Sequence, residues 1–139
     1  MTNIDVIKRK LSEIEKYFTI IKKYQSVSQQ EIFADDTLKG AVERYLYLLC
    51  QTAIDLAEAA VVHFKLRTPA TYGEIFEILA ENGLIGKDLS LKMKKMTGFR
   101  NILVHAYGEI NQGIFYQILT KDINDISLFL EEIKKKLSL

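Results

Sequence analysis

Apolar residues recur at alternating three- and four-residue steps near both ends of the chain, which is the spacing of an amphipathic α-helix. The first run predicts a helix over about residues 4–24, and the last predicts one over about residues 121–137. The apolar positions of the first run are Ile4, Ile7, Leu11, Ile14, Phe18 and Ile21. Those of the last run are Ile123, Ile126, Leu130, Ile133 and Leu137. Each end of the chain therefore predicts a helix that buries one face.

A second helix is predicted over about residues 36–65, beginning at the acidic pair Asp35–Asp36, which suits a helix N-terminus. Besides a main apolar stripe, this helix has apolar residues that lie off that stripe, namely Leu46, Ile54, Ala57, Val61 and Val62. A helix that is apolar nearly all round has to be covered on several sides. In a chain of 139 residues, this predicts that a second subunit supplies part of the cover.

Two further helices follow. The first begins at Thr71-Tyr-Gly-Glu74, a capping box in which the Thr hydroxyl and the Glu carboxylate each accept from a free backbone N–H. Asn82–Gly83 is expected to end it. The other begins near residues 86–88 and is expected to stop at Gly108.

Short segments separate these helices, and the chain contains one proline. Residues 29–34 predict a single turn, and residues 111–118 predict a helix or turn, because a lone strand would have no partner. The pattern indicates an all-α, antiparallel bundle of about five helices joined by short loops. A hydrophobic share of 48% supplies enough core for one domain, residues 1–139.

The charge balance gives the chain no overall field for nucleic acid, because 19 basic and 18 acidic residues leave a net charge of +1. RNA contact would need a local site, and DNA is not expected as a partner. Cys50, the single cysteine, lies in an apolar run and is expected in the core. Neither this cysteine nor the two histidines, His63 and His105, make a recognisable metal site.

No membrane segment is expected. The N-terminus lacks the apolar region of a signal peptide. The longest apolar stretch, residues 45–64, contains Asp55 and Glu58, which a membrane span tolerates poorly. We therefore expect a soluble, cytoplasmic protein.

Four polar residues with catalytic types of side chain fall within eight positions, in the stretch RNILVHAY. Arg100 keeps its charge and can place two donors on a phosphate. Histidine is the side chain best suited to moving protons at neutral pH, and His105 supplies one. Asn101 and Tyr107 add an amide and a hydroxyl. The stretch is a candidate catalytic site.

Helix geometry limits which of these side chains can meet. Asn101 and His105 lie one turn apart on the same face, and Arg100 aligns with Tyr107 about 10.5 Å along the axis. Arg100 and His105 are about 140° apart on a regular helix, so they do not converge on one atom. A long Arg side chain, a helix that unwinds near Gly108 or a second copy of the helix can each bring them together.

The same residues also have a purely structural interpretation. Arg100 would then form a salt bridge with a neighbouring helix, His105 would be a half-buried, hydrogen-bonded residue, and Tyr107 would pack at the helix end. The basic cluster Lys92, Lys94 and Lys95 would be a solvated helix face; its alternative role is to steer RNA.

The long second helix carries a polar face made of Arg44, Gln51, Asp55 and Glu58, which follow seven-, four- and three-residue steps. One interpretation is that this face lines a cleft, with Asp55 or Glu58 orienting Arg100 or His105. The other is an ordinary ion-pair stripe or a partly solvated edge.

Nearly the whole chain resembles HEPN-domain proteins of the HepT type, the toxin half of bacterial or archaeal toxin–antitoxin pairs of a type VII kind. RNILVHAY matches the R-x4-H-x-Y pattern of that family, with Arg100, His105 and Tyr107 at the matching positions. The segments AVERYLYLLCQTAIDLAEA, TPATYGEIFEILAENGLI and KMKKMTGFRNILVHAY are similar as well. Ala106 and Gly108 depart from the polar or acidic residues of many relatives.

The resemblance implies a homodimeric, metal-independent endoribonuclease without a cofactor. Arg100 would bind the phosphate, and Asn101 and Tyr107 would orient the phosphate or the imidazole. His105 would act as general base or acid, and a homodimer would supply a second copy of it for the other role.

The resemblance also implies a cognate minimal nucleotidyltransferase antitoxin, which inactivates the toxin by transferring AMP to Tyr107. The alternative function is a HEPN interaction module that binds a nucleotidyltransferase while its Arg–His pair no longer cuts RNA. A structural helical dimer without chemistry is the third interpretation.

Overall fold

Seven α-helices follow one another along residues 2–105 and 110–139, the part of the chain that this computed structural model describes. They are α1 (Asn3–Lys22), α2 (Gln29–Ala34), α3 (Asp36–His63), α4 (Tyr72–Glu81), α5 (Lys87–His105), α6 (Gln112–Gln117) and α7 (Asn124–Leu137). A π-helical turn, Ile118–Asp122, joins α6 to α7. These residues contain no strand. The predicted all-α class is therefore confirmed, with five longer helices and the short α2 and α6.

α3 is the central helix, and it begins at the acidic pair Asp35–Asp36, as predicted. Asp35 accepts hydrogen bonds from the backbone N–H groups of Thr37 and Leu38. The helix packs against α1, α2, α4, α5 and α7. Leu46 and Ile54, which lie off its main apolar stripe, are fully buried under these helices. The chain itself therefore covers these two positions, whereas Val62 on the same helix is 59% exposed, so the cover by a second subunit stays a prediction.

Among the described residues, α3 is also the one helix long and apolar enough to cross a membrane, with a mean hydropathy of 1.3 in its most apolar window. Within the fold, 56% of that window is buried by the rest of the chain. This is the position of a core helix.

The start of α4 differs in part from the predicted capping box. Thr71 accepts from the backbone N–H of Glu74 at 3.1 Å, as predicted. The Glu74 carboxylate, however, is bound by Arg67, whose guanidinium also binds Glu81 at 2.9 Å. This contact holds the pKa of Glu81 below its usual range. The Glu74 carboxylate therefore ties the α3–α4 loop to α4.

α6 is helical because a side chain caps its N-terminus and because it packs against another helix of the chain. The Asn111 side chain accepts from the N–H of Ile114 at 2.9 Å and so caps the helix. Phe115 is fully buried, and its ring meets Phe33 of α2 edge-on with 5.3 Å between centroids. The prediction of a helix or turn over this segment is confirmed.

α5 carries the candidate cluster and is anchored through its first half. The Ser90 hydroxyl donates to the carbonyl of Phe76 at 2.9 Å, and Lys94 forms an ion pair with Glu77 of α4. Residues 102–105, the last turn, are half-buried or exposed. The core therefore fixes the axis of α5 and presents the end of the helix at the surface.

Cys50 is buried in the core, as predicted. Burial raises the pKa of its thiol to about 12, and the positive charge of Arg100 opposes part of that rise. The folded protein therefore keeps this thiol protonated at pH values where an exposed thiol loses its proton.

The buried thiol predicts a loss of stability at alkaline pH. The unfolded chain releases the proton above the ordinary value of 9.0, whereas the folded chain holds it to about 12, so deprotonation favours unfolding. The contribution of Cys50 is complete below pH 9 and is lost as the pH rises towards 12. From pH 8 to pH 10, we expect the free energy of unfolding to fall by about 1 kcal/mol more in the wild-type chain than in Cys50→Ala. Urea unfolding at both pH values measures this difference, and an equal fall in both proteins contradicts the expectation.

Candidate active site

α5 is a regular α-helix through His105, so the cluster in RNILVHAY has the spacing of an ideal helix as far as the structure describes it. Arg100 is half-buried, whereas Asn101 and His105 are exposed. Arg100 and His105 are therefore about 140° apart around the axis. Because both lie within the regular helix, unwinding beyond His105 cannot bring them together.

The Arg100 side chain docks against α3 and α4. Its Nε donates to Oε1 of Gln51 at 2.7 Å, and its Nη1 donates to Oδ1 of Asn101 at 3.0 Å. The guanidinium carbon lies 5.7 Å from the ring centroid of Tyr47 and 5.2 Å from that of Tyr72, within the range of cation–π attraction. These four contacts hold the guanidinium beside α3 and α4, so the length of the side chain does not carry it to His105.

Gln51 links Arg100 to an acidic residue without bringing the two charges together. Its Nε2 donates to Oδ1 of Asp55, one turn further along α3, at 2.9 Å. Oδ2 of Asp55 lies 3.7 Å from Nζ of Lys10 in α1. Among the described residues, no carboxylate lies within 4.0 Å of Arg100. The salt bridge that the structural interpretation predicted for Arg100 is therefore not found among the described residues. No carboxylate there compensates the positive charge, so the guanidinium can bind an anion.

The other members of the polar face of α3 lie in different places. Arg44 is exposed, and its guanidinium carbon lies 5.5 Å from the ring centroid of Tyr47, the ring that Arg100 also contacts. Glu58 is exposed and lines a surface pocket together with Asp55 and Val62. The structure thus places Arg44 and Asp55 beside the Arg100 contacts, and no described contact joins Glu58 to them.

His105 is the last residue of α5 and is exposed. Asn101 lies one turn before it on the same face, and its side-chain oxygen accepts a hydrogen bond from Arg100. Tyr107, the predicted AMP acceptor, and Gly108, the predicted helix stop, lie outside the described residues. The described geometry therefore concerns Arg100, Asn101 and His105.

The sequence interpretation missed Tyr47 and Tyr72. Tyr47 precedes Gln51 by four residues on the same face of α3, so this spacing was a usable signal. Tyr72 is the first residue of α4, and only the packing of α4 against α5 brings its ring to Arg100. The sequence contains no local signal for that contact.

An apolar cleft of about 460 Å³ lies on another side of α5, facing α6 and α7. Lys92, Lys95 and Ile102 line its α5 wall, whereas Lys94 pairs with Glu77. The predicted basic cluster is thus divided between two faces of the helix. Among the described residues, no three His, Cys, Asp or Glu side chains lie close enough together to hold a metal ion.

Comparison with known sequences gives matches over almost the whole chain. The family model described as Ribonuclease HepT-like matches residues 7–133. The mRNA nuclease HepT of Shewanella oneidensis is 33% identical over 132 residues, which cover 94% of this chain and 97% of that protein. The tRNA nuclease HepT of Aphanizomenon flos-aquae is 26% identical over 139 residues, which cover 99% of this chain and 95% of that protein.

A solved structure matches as well: a tri-AMPylated HEPN toxin of Shewanella oneidensis in complex with MNT antitoxin. The similarity covers 97% of this chain and 99% of that one, with a TM-score of 0.85 and 31% identity. The resemblance, the fold and the endoribonuclease class predicted from the sequence are confirmed by these relatives, which favour the enzyme over the silent interaction module. The chain belongs to the HepT-like ribonuclease family.

Proposed function

We propose that this chain is a metal-independent endoribonuclease toxin that cuts RNA at a site shared by two copies of the chain. The observation that carries the proposal is the docking of Arg100 on Gln51, Tyr47 and Tyr72. This docking fixes a guanidinium at the protein surface with no carboxylate of the described residues beside it. Relatives that match the chain over nearly its full length are an mRNA nuclease and a tRNA nuclease. We therefore expect a one-domain protein that meets RNA in the cytoplasm.

Arg100 is suited to hold the phosphate at the cleavage point. Gln51 occupies its Nε–H and Asn101 occupies one N–H of Nη1, which leaves three N–H donors for phosphate oxygens. Negative charge grows on these oxygens as the phosphorus becomes five-coordinate. A guanidinium that is already held in place stabilises this charge without first having to be ordered.

The separation of His105 from Arg100 within one chain leads us to propose a homodimer. Within one chain, the regular helix and the docking of Arg100 keep the two side chains apart. The reaction also needs a general base and a general acid, and each motif supplies one histidine. A two-fold dimer that brings the last turns of two α5 helices together supplies two histidines and two arginines to one phosphate.

In this arrangement, one copy of His105 takes the proton of the ribose 2′-hydroxyl, and the 2′-oxygen attacks the phosphorus. The bond from phosphorus to the 5′-oxygen breaks, and the second copy of His105 gives a proton to that oxygen. The products are a 2′,3′-cyclic phosphate and a 5′-hydroxyl. Asn101, one turn from His105 and bonded to Arg100, helps to position both groups.

Tyr107 is proposed as the point of control, with a minimal nucleotidyltransferase antitoxin as the partner. AMP on this tyrosine adds bulk and negative charge two residues from His105, and the charge repels an RNA phosphate. The relative that is AMPylated and bound to MNT antitoxin supports this assignment. The tyrosine is therefore a switch rather than a participant in proton transfer.

Replacement of His105 by Ala is expected to lower RNA cleavage by at least about a hundredfold, because it removes both the base and the acid. Cleavage by the wild-type chain is expected to continue in EDTA and to leave a 2′,3′-cyclic phosphate. Gel analysis of a total RNA digest, with mass spectrometry of the new ends, measures both.

The matched control is His63→Ala, which removes the other histidine from the end of α3. This variant is expected to cut RNA, and both variants are expected to keep the helical circular dichroism of the wild type. Cleavage that survives in His105→Ala, or that stops in EDTA, contradicts the proposal.

Replacement of Gln51 by Leu is expected to lower kcat/KM for RNA about tenfold, because Arg100 loses a hydrogen bond that fixes its guanidinium. The control is Gln25→Leu, which removes a similar side-chain bond, from Gln25 Nε2 to the carbonyl of Leu119 at 3.0 Å, away from α5. Both variants are compared in cleavage rate and in melting temperature. Equal rates in the two variants would show that Gln51 does not position Arg100.

Co-expression with the antitoxin is expected to add AMP to the wild-type chain and not to Tyr107→Phe. Intact-mass spectrometry counts the added AMP groups, and peptide mapping locates them. Tyr116→Phe is the control, because its hydroxyl bonds the carbonyl of Val27 inside the fold. Modification of Tyr107→Phe to the wild-type extent contradicts the assignment.

A further inference from the structure

Arg44 lies beside the proposed site but has no role in the steps above. It is exposed on α3, and its guanidinium carbon lies 5.5 Å from the centre of the Tyr47 ring. Arg100 lies 5.7 Å from the centre of the same ring. Two positive side chains from two helices therefore share one aromatic neighbour.

The donors of Arg44 are placed for a ligand. Among the described residues, no hydrogen bond or ion pair uses them, whereas each of the three side-chain nitrogens of Arg67 donates to Glu74 or Glu81. Contact with a tyrosine ring orders the flat guanidinium and uses none of its N–H groups. An ordered guanidinium with free donors is a site for phosphate or carboxylate oxygens.

The charges along the polar face of α3 indicate in which direction a bound polyanion extends from Arg100. Arg44 lies seven residues before Gln51, about 10.5 Å along the axis and on the same face. Asp55 and Glu58 lie on the other side of Gln51; Asp55 is paired with Lys10 at 3.7 Å, and the exposed carboxylate of Glu58 repels phosphates. A polyanion held at Arg100 is therefore attracted towards Arg44 and repelled from the opposite end of this face.

We propose that Arg44 binds an RNA phosphate next to the one that is cut, so that the RNA backbone runs along α3 from Arg100 past Tyr47. This inference rests on the proposed ribonuclease function and adds the path of the substrate to it. The near-neutral net charge of +1 makes such a local contact necessary, because the chain as a whole does not attract RNA. The contact is to the backbone, so it carries no base preference.

The test measures RNA binding without cleavage, in a His105→Ala background. Fluorescence anisotropy with labelled oligouridine and oligoadenosine of about twelve nucleotides gives the binding constant over a series of salt concentrations. Arg44→Gln is expected to reduce the slope of log K against log salt by about 0.7, the value for one phosphate contact on a single strand. At 0.1 M salt this corresponds to binding about fivefold weaker, by the same factor for both oligonucleotides.

Two variants control the measurement. Arg67→Gln makes the same change in net charge at an exposed arginine that two carboxylates already bind, and it is expected to keep the wild-type slope. Arg44→Lys keeps the positive charge and is expected to restore most of the slope. Equal slopes for Arg44→Gln and Arg67→Gln overturn the proposal, as does an Arg44→Gln effect on one oligonucleotide alone.

The outcomes separate this inference from the proposed function. If the wild-type chain cuts RNA and Arg44→Gln leaves the salt slope unchanged, the path along α3 is wrong and the nuclease proposal stands. If Arg44→Gln lowers the salt slope but the wild-type chain never cuts RNA, the contact is supported and the catalytic proposal is wrong. If Arg44→Gln instead weakens only the complex with the antitoxin, the residue binds an acidic protein surface and the RNA contact is wrong.

Discussion

The proposed site depends on one geometric constraint, the regular α-helix that carries both Arg100 and His105. Over five residues, this helix turns the two side chains about 140° apart, and the docking of Arg100 on α3 and α4 holds them apart. A single copy of the motif therefore presents a phosphate-binding group on one side and a proton-transfer group on another. The proposed homodimer is the arrangement that lets both kinds of group act on one phosphate.

Arg100 is oriented by neutral groups, which leave its positive charge uncompensated. Asp55 is the acid nearest to it in the described network, and Gln51 stands between them. A carboxylate in direct contact would also fix the guanidinium, but it would compete with the phosphate for the same donors. The amide of Gln51 and the rings of Tyr47 and Tyr72 hold the side chain while leaving donors for the substrate. The same reasoning applies to Arg44, which a tyrosine orders without an acidic partner in residues 2–105 and 110–139.

The sequence predicted most of the fold and the chemical type of the site, but not its contacts. Helical periodicity predicted α1, α3 and α7, which bury apolar faces, and the signals at helix ends predicted α4 and α5. For α3, periodicity did not show how much of the cover comes from the same chain: five helices bury Leu46 and Ile54, whereas Val62 is exposed. Of the capping box at Thr71, only the hydrogen bond to the Thr71 hydroxyl forms, because Arg67 in the preceding loop binds the Glu74 carboxylate. The ring of Tyr72 reaches Arg100 only through tertiary packing, which no local pattern encodes.

The central claim is that two copies of His105 serve one reaction, and mixed dimers test it most directly. Wild-type chain and His105→Ala are unfolded together in equal amounts and refolded, so that subunits pair at random. If each active site needs both histidines, only the dimers of two wild-type chains cut RNA, and the activity is about one quarter of that of the same total amount of protein made of wild-type chain alone. If each chain works with its own histidine, the activity is about one half. A value near one quarter is the result that we expect, and a value near one half contradicts the shared site.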